Sequence, residues 1–269
     1  MTAQSGSYRF DSLEEQVQIQ EFERLYRQAS SLLDIERQIW PKVGIHSGQK
    51  VLDVGCGTGA VTQAIAKQTA PTTVVGVDIS QKLLSQSEPS SQNVAWKQGS
   101  VYSLPFEDNS FDVVYARLLL QHLNEPLTAL ANIFRVLKPN GIACIVDVDK
   151  DWSSLYPEPD SSIALDRAII EKQLSQGGDP WVGRKLGSYL KSSGFSGVET
   201  SIKLVDSDQL GLASFFGMLS LGGSYQSENK QFQSLRQAIE PDIRALINNP
   251  NTWAGFALFV ATGRKPTSL

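Results

Sequence analysis

Three glycines at alternate positions, Gly55, Gly57 and Gly59, follow the apolar run Val51-Leu52-Asp53-Val54 and lead into a stretch at helical spacing from Val61 to Ala70. Such a turn lets a ligand lie against bare backbone, and glycine tolerates the positive φ that a tight strand-to-helix turn demands. The N–H groups that open the helix are expected to face the ligand's negative end. Cys56 sits inside the turn, and Asp53 stands two residues before its first glycine. A second carboxylate, Asp78, ends the next apolar run, Thr73 to Val77, where it can accept hydrogen bonds from two adjacent hydroxyls. Arg117, Gln121 and His122 follow a further apolar run, Phe111 to Tyr115. In an open α/β sheet, residues just past such a strand lie at the ligand's reacting end. His122 is therefore the candidate catalytic base, whereas His46, beside Ser47-Gly48, reads as a surface turn residue. Cys, His and acidic residues show no metal-ligand spacing, so no metal is expected.

Strands and helices alternate around these residues. Val51 to Val54, Thr73 to Val77, Val94 to Gln98, Phe111 to Tyr115 and Ile142 to Val148 are short apolar runs rich in valine and isoleucine, as strands buried on both faces should be. Asn124-Glu-Pro126 starts a helix that runs to Leu137, and Pro139-Asn-Gly141 turns the chain into the fifth strand. Asp11 to Trp40 carries apolar residues at helical spacing, with Ser12 and Glu15 placed as a capping box. Asp147 and Asp149 share one face of the fifth strand, and Asp149 is a candidate for meeting a cationic or hydroxylated substrate.

Gly55-x-Gly57-x-x-Ala60 also fits the dinucleotide fingerprint, with Asp78 at the distance of its acidic residue, so an NAD(P)-dependent oxidoreductase is one reading. More motifs follow downstream: Trp96-Lys-Gln-Gly-Ser-Val-Tyr-Ser-Leu-Pro-Phe106, Phe111-Asp-Val-Val-Tyr115 and Leu137-Lys-Pro-Asn-Gly141. Together and in this order, from Gln49 to Val148, they resemble the class I S-adenosylmethionine-dependent methyltransferases, in particular their small-molecule branch. The resemblance implies an α/β, doubly wound, Rossmann-like fold. Its sheet would be seven-stranded and mostly parallel, with the last strand antiparallel and helical lid insertions added.

The cofactor implied is S-adenosylmethionine, with S-adenosylhomocysteine as product. Asp53, Gly55, Cys56, Gly57 and Gly59 would line its amino-acid half, and Asp78 would hold the ribose. Ile79, Ser100 and Val101 would surround the adenine, with Arg117 near the reacting end and Arg24 (with Gln28) reaching down from an N-terminal helix. Ser100 departs from the family pattern, which usually places an acid after the glycine to take the adenine amino group. A non-catalytic cofactor-binding protein is thus a third reading.

The expected division is an N-terminal helical cap over 1–45, a core over 46–150, a lid segment over 151–180, core again over 181–205, a helical lid insertion over 206–250, and a last core strand and tail over 251–269. Trp152, Trp181, Phe215 and Phe216 are the expected substrate-binding aromatics of the lid. They suggest a small hydrophobic or aromatic acceptor from specialised metabolism, methylated on oxygen, nitrogen or carbon. Twenty-four Lys plus Arg against 28 Asp plus Glu give a net charge of −4, which argues against nucleic acid as a partner. No apolar run approaches the length of a membrane span, no signal peptide is visible, and two cysteines make no disulfide framework. A cytoplasmic protein is expected.

Overall fold

The apolar runs form the strands of one sheet because only a position covered on both faces buries them fully. In a computed structural model, residues 6–8, 10–68, 73–87, 93–219 and 230–267 are described. The strands are β1 (Lys50–Val54), β2 (Thr73–Asp78), β3 (Val94–Gln98), β4 (Phe111–Arg117), β5 (Leu137–Tyr156), β6 (Ser196–Asp206) and β7 (Trp253–Arg264). They lie in the order β3-β2-β1-β4-β5-β7-β6. Every neighbouring pair is parallel except those made by β7, which runs antiparallel to both β5 and β6. The chain leaves β1 toward β2 on one side, while β4 flanks β1 on the other. That reversal opens a crevice at the carboxyl ends of β1 and β4.

The helices are α1 (Glu15–Arg37), α2 (Ala60–Gln68), α3 (Gln81–Gln86), α4 (Pro126–Val136), α5 (Asp160–Ser175), α6 (Leu186–Ser192), α7 (Ser207–Leu210), α8 (Leu212–Met218) and α9 (Lys230–Asn248). Val51, Tyr115, Cys144 and Leu258 face one core, which Leu32 of α1, Ile65 of α2 and Phe216 of α8 complete. Leu52, Val114 and Ile145 face the other, closed by Leu130 and Ile133 of α4 and Leu190 of α6. Among the described residues, no helix is long and apolar enough to cross a membrane.

Several expectations change here. α1 begins at Glu15 behind Glu14, with no side-chain cap, so the Ser12–Glu15 box does not start it. β5 does not stop at Val148. After an irregularity it continues to Tyr156, because Ser153 to Tyr156 pair with Phe256 to Trp253 of β7. Residues 151–156, expected in a lid, are therefore sheet. Phe215 and Phe216 are buried and pack edge-to-face with each other, and Phe215 also meets Phe256 of β7. They anchor α8 to the core rather than cover a ligand. Residues 220–229 of the expected insertion lie outside the described residues.

Candidate active site

The glycine turn is built by bonds back to the neighbouring strand. Gly55 and Cys56 both donate their N–H to the Val77 carbonyl, at 2.8 and 3.1 Å, Gly59 donates to Cys56 at 2.9 Å, and Gly57 donates to Asp78 Oδ2 at 2.9 Å. The expected row of free donors is thus absent at these four positions: a turn this tight uses them on itself. What it offers a ligand is room. A Cβ on Gly57 would meet nothing within 4 Å, whereas one on Gly59 would strike the Trp96 ring at 2.4 Å. Gly57 borders the cavity described next; Gly59 is a packing glycine and does not line it.

A cavity of about 590 Å³ occupies the crevice. Its floor comes from the ends of β1, β2 and β4, and its roof from Gly6, Tyr8, Phe10, Asp11 and Ser12 and from α1, including Arg24 and Gln28. Asp53, Gly55, Cys56, Asp78, Ile79, Ser100, Val101, Arg117 and His122 all line it, so the structure brings these candidates together. Asp78 accepts from Gly57 N and, through Oδ1, from Ser80 N at 2.9 Å. Burial raises its pKa, and those two N–H groups oppose the rise. Ser80, not Asp78, caps α3, its Oγ accepting from Leu83 N at 3.1 Å. The Asp78 carboxylate, with four lone-pair directions and two in use, retains capacity for hydroxyl donors. Ser100 Oγ accepts from Tyr102 N at 3.2 Å, a local turn bond that an acid is not needed to make.

Beneath the roof lies a buried ionic group. Arg117 Nε sits against Glu36 Oε1 in a close ion pair that is not aligned as a hydrogen bond, and Tyr115 Oη donates to Glu36 Oε2 at 2.7 Å. The Glu36 side chain is 0% exposed and that of Arg117 11%. Arg117 Nη2 has no hydrogen-bond partner among the described residues. Asp53 accepts from Thr62 Oγ1 at 2.6 Å, yet burial pushes its pKa up to about 7. Burial also raises the Cys56 thiol, which stays protonated.

At the other end, His122 belongs to the 3₁₀ turn Leu120–His122. Ser7 clamps it twice, donating N–H to the His122 carbonyl at 2.7 Å and placing Oγ 2.9 Å from Nδ1. The Tyr8 ring tilts against it at 5.4 Å. Burial first, then the Arg24 charge, lowers its pKa to about 4, so the ring is neutral at physiological pH. Asp147 holds the same turn from below, accepting from Gln121 N at 3.1 Å, and burial pushes its pKa up to about 7. In the roof, Arg24 donates to Glu21 at 2.9 and 2.8 Å and to the Met218 carbonyl at 3.1 Å, while Tyr8 Oη donates to Glu21 at 2.9 Å. Arg24 therefore lines the cavity with its guanidinium already committed to locking the roof.

The aromatic substrate candidates do not reach this cavity. Trp152 is 51% exposed and meets Phe259 edge-on, Trp181 Nε1 donates to Asp151 at 2.8 Å, and Phe215 and Phe216 lie in the core. Asp149 is also withdrawn: Arg184 holds it through Nε at 2.7 Å and Nη2 at 2.5 Å. In their place α5 supplies Ile169 and Gln173. Sequence reasoning missed Ser7, Tyr8, Glu21 and Glu36, and it named Asp147 without giving it a role. Asp147 alone carried a signal, since an acid inside a buried strand needs a local reason.

Residues 52–145 match a family described as "Methyltransferase domain". Over that stretch the chain is similar to the methyltransferases of this family. The match contains the glycine turn, Asp78, Ser100, Arg117 and His122, but not Ser7, Arg24 or Glu36, which lie before it. An uncharacterized methyltransferase of Schizosaccharomyces pombe is 34% identical over 148 residues, 51% of this chain and 53% of its own length. A demethylmenaquinone methyltransferase of Staphylococcus aureus is 35% identical over 149 residues, 52% of this chain and 62% of its own. The chain thus spans only between half and two thirds of these relatives. Among solved structures, phosphoethanolamine N-methyltransferase 2 of Haemonchus contortus with S-adenosyl-L-methionine shares the fold, with TM-score 0.57 and 19% identity over 87% of this chain and 52% of that one. So does a [4+2]-cyclase, with TM-score 0.58 and 21% identity over 87% of this chain and 81% of that one. An antiparallel β7 between β5 and β6 also separates this sheet from the dinucleotide-binding order 3-2-1-4-5-6.

Proposed function

We propose that the chain transfers a methyl group from S-adenosylmethionine to a small acceptor with a hydrophobic body. The observation that carries this reading is one cavity lined by three complementary features: the anchored Asp78 carboxylate, the open space over Gly57, and the positively charged Arg117. These match a sugar diol, a ligand backbone pressed on the turn, and a carboxylate. The cofactor, when bound, supplies an electrophilic methyl group, so the protein has to bind, align, exclude water and manage one proton. Asp78 accepts from the ribose hydroxyls, and Ile79, Val101 and the Ser100 hydroxyl flank the adenine. Arg117 meets the carboxylate and Asp53 the ammonium end. Tyr8, Phe10, Leu118 and Leu119 keep the reacting end dry. His122, neutral and facing the cavity, is the group available to take the acceptor's proton.

A second reading keeps the cofactor but not the transfer, and the cyclase on the same scaffold is the observation that favours it, since fold does not fix function. Thermal unfolding decides the first point. S-adenosylhomocysteine should raise the midpoint, NADH should leave it unmoved, and Asp78→Asn should abolish most of the rise. A rise with NADH alone would return the chain to oxidoreductase chemistry. Tight S-adenosylhomocysteine binding without labelled methyl transfer to any member of a broad acceptor panel would support the second reading.

A further inference from the structure

β6 is the outer strand of the sheet, and among the described residues β7 is its only strand neighbour. Outer strands present a row of unpaired N–H and C=O groups, and proteins usually blunt them by shortness, proline, bulges or inward charge. Apart from one irregularity in its pairing, between Ser196 and Glu199, β6 is not blunted in these ways. It runs for 11 residues without proline, and its register against β7 is unbroken from Glu199 to Asp206. Its residues from Glu199 to Ile202 are all exposed, and it displays two large apolar side chains to solvent, Ile202 at 44% and Leu204 at 52% exposure.

The sequence of this edge is self-complementary. We propose that two copies of the chain join through β6, antiparallel and centred on Ser201, to make one continuous sheet across a two-fold axis. In that register Glu199 stands opposite Lys203 of the second copy, and Lys203 opposite its Glu199, both on one face of the strand. On the other face Val198 meets Leu204 and Thr200 meets Ile202. The exposed apolar side chains thereby become one contiguous stripe. Sliding the centre by one residue would set Glu199 against Val205 and Lys203 against Ser201, so the charges select this register. An isologous contact of this kind closes after two copies and leaves no free edge at the junction. Nothing in it depends on the reaction.

Sedimentation velocity over a concentration series tests it, with full-length protein and far-UV circular dichroism as the folding control. The wild type should sediment at twice the chain mass. Glu199→Lys alone, or Lys203→Glu alone, sets like charges opposite each other at both ends of the junction. Each should weaken the dimer about tenfold or more. The double exchange, Glu199→Lys with Lys203→Glu, restores both pairs and should bring the dissociation constant back to near wild type. A wild type that stays monomeric up to its solubility limit would overturn the proposal. So would a dimer indifferent to either single reversal, or a double exchange no better than the singles.

Discussion

His122 and Asp53 face the same cavity, and burial drives both toward their neutral forms, the imidazole down to about 4 and the carboxyl up to about 7. For the histidine this fixes what kind of base it can be. Above pH 5 it is unprotonated and available, but a conjugate acid this strong makes it a weak proton acceptor. His122→Ala should therefore lower kcat by about 10²-fold, the low end for a positioned base, and leave the cofactor's apparent affinity unchanged. The kcat profile should show no acid limb near 6.5, because the ring already titrates below 5. A fall of less than about tenfold, or a limb at 6.5 that vanishes in the alanine variant, would take the proton-transfer role away from this residue.

The glycine turn shows how one motif mixes two requirements at the level of the element. Gly57 has φ +55 and open space at its Cβ position, while Gly59 has φ +75 and the Trp96 ring there. Gly57→Ala should cost about 1–2 kcal/mol for its left-handed backbone and chiefly weaken S-adenosylhomocysteine binding. Gly59→Ala adds a packing clash and should cost roughly 2–4 kcal/mol, with binding weakened only as far as folding is. Urea unfolding and calorimetry on the two variants separate these outcomes; equal losses of affinity at equal stability would refute the division. The turn itself, Asp78 and the central strands were legible because each is written in adjacent residues with a local physical cause. Glu36, Ser7 and Tyr8 were not, since they reach the cavity from remote segments whose own surroundings give no sign of it. Aromatic residues misled for a related reason: Trp152 and Phe215 announce burial of large surface, but not which face of which element receives it. The length of β5 was likewise invisible, because Ser153 to Tyr156 become strand only through a partner about a hundred residues away.

Across the whole molecule, the buried carboxyls set an unusual dependence of stability on pH. Asp53 and Asp147 both titrate near 7 in the folded chain against an unfolded value of 3.8, and burial raises Glu36 and Asp78 as well. Between those limits the native state holds more protons than the unfolded chain, so these groups make stability fall as pH rises. His122 acts the other way. Its folded value is near 4 against 6.5, so below 6.5 the unfolded chain binds the extra proton and stability rises with pH. Two acids outweigh one histidine, leaving a net of at least one proton on the native side between about pH 4.5 and 6.5, and the acids alone from there to 7. Asp112 and Asp151, whose values are lowered, contribute only below the ordinary carboxylate range and leave this window untouched. Each net proton corresponds to about 1.4 kcal/mol per pH unit. The unliganded protein should therefore need less urea to unfold at pH 8 than at pH 5.5. Asp53→Asn should flatten that slope by removing one of the titrating groups while keeping its shape and its bond from Thr62. Stability that climbs from pH 5.5 to 8, or a slope the asparagine variant leaves unchanged, would mean that these carboxyls are ionised in the folded chain.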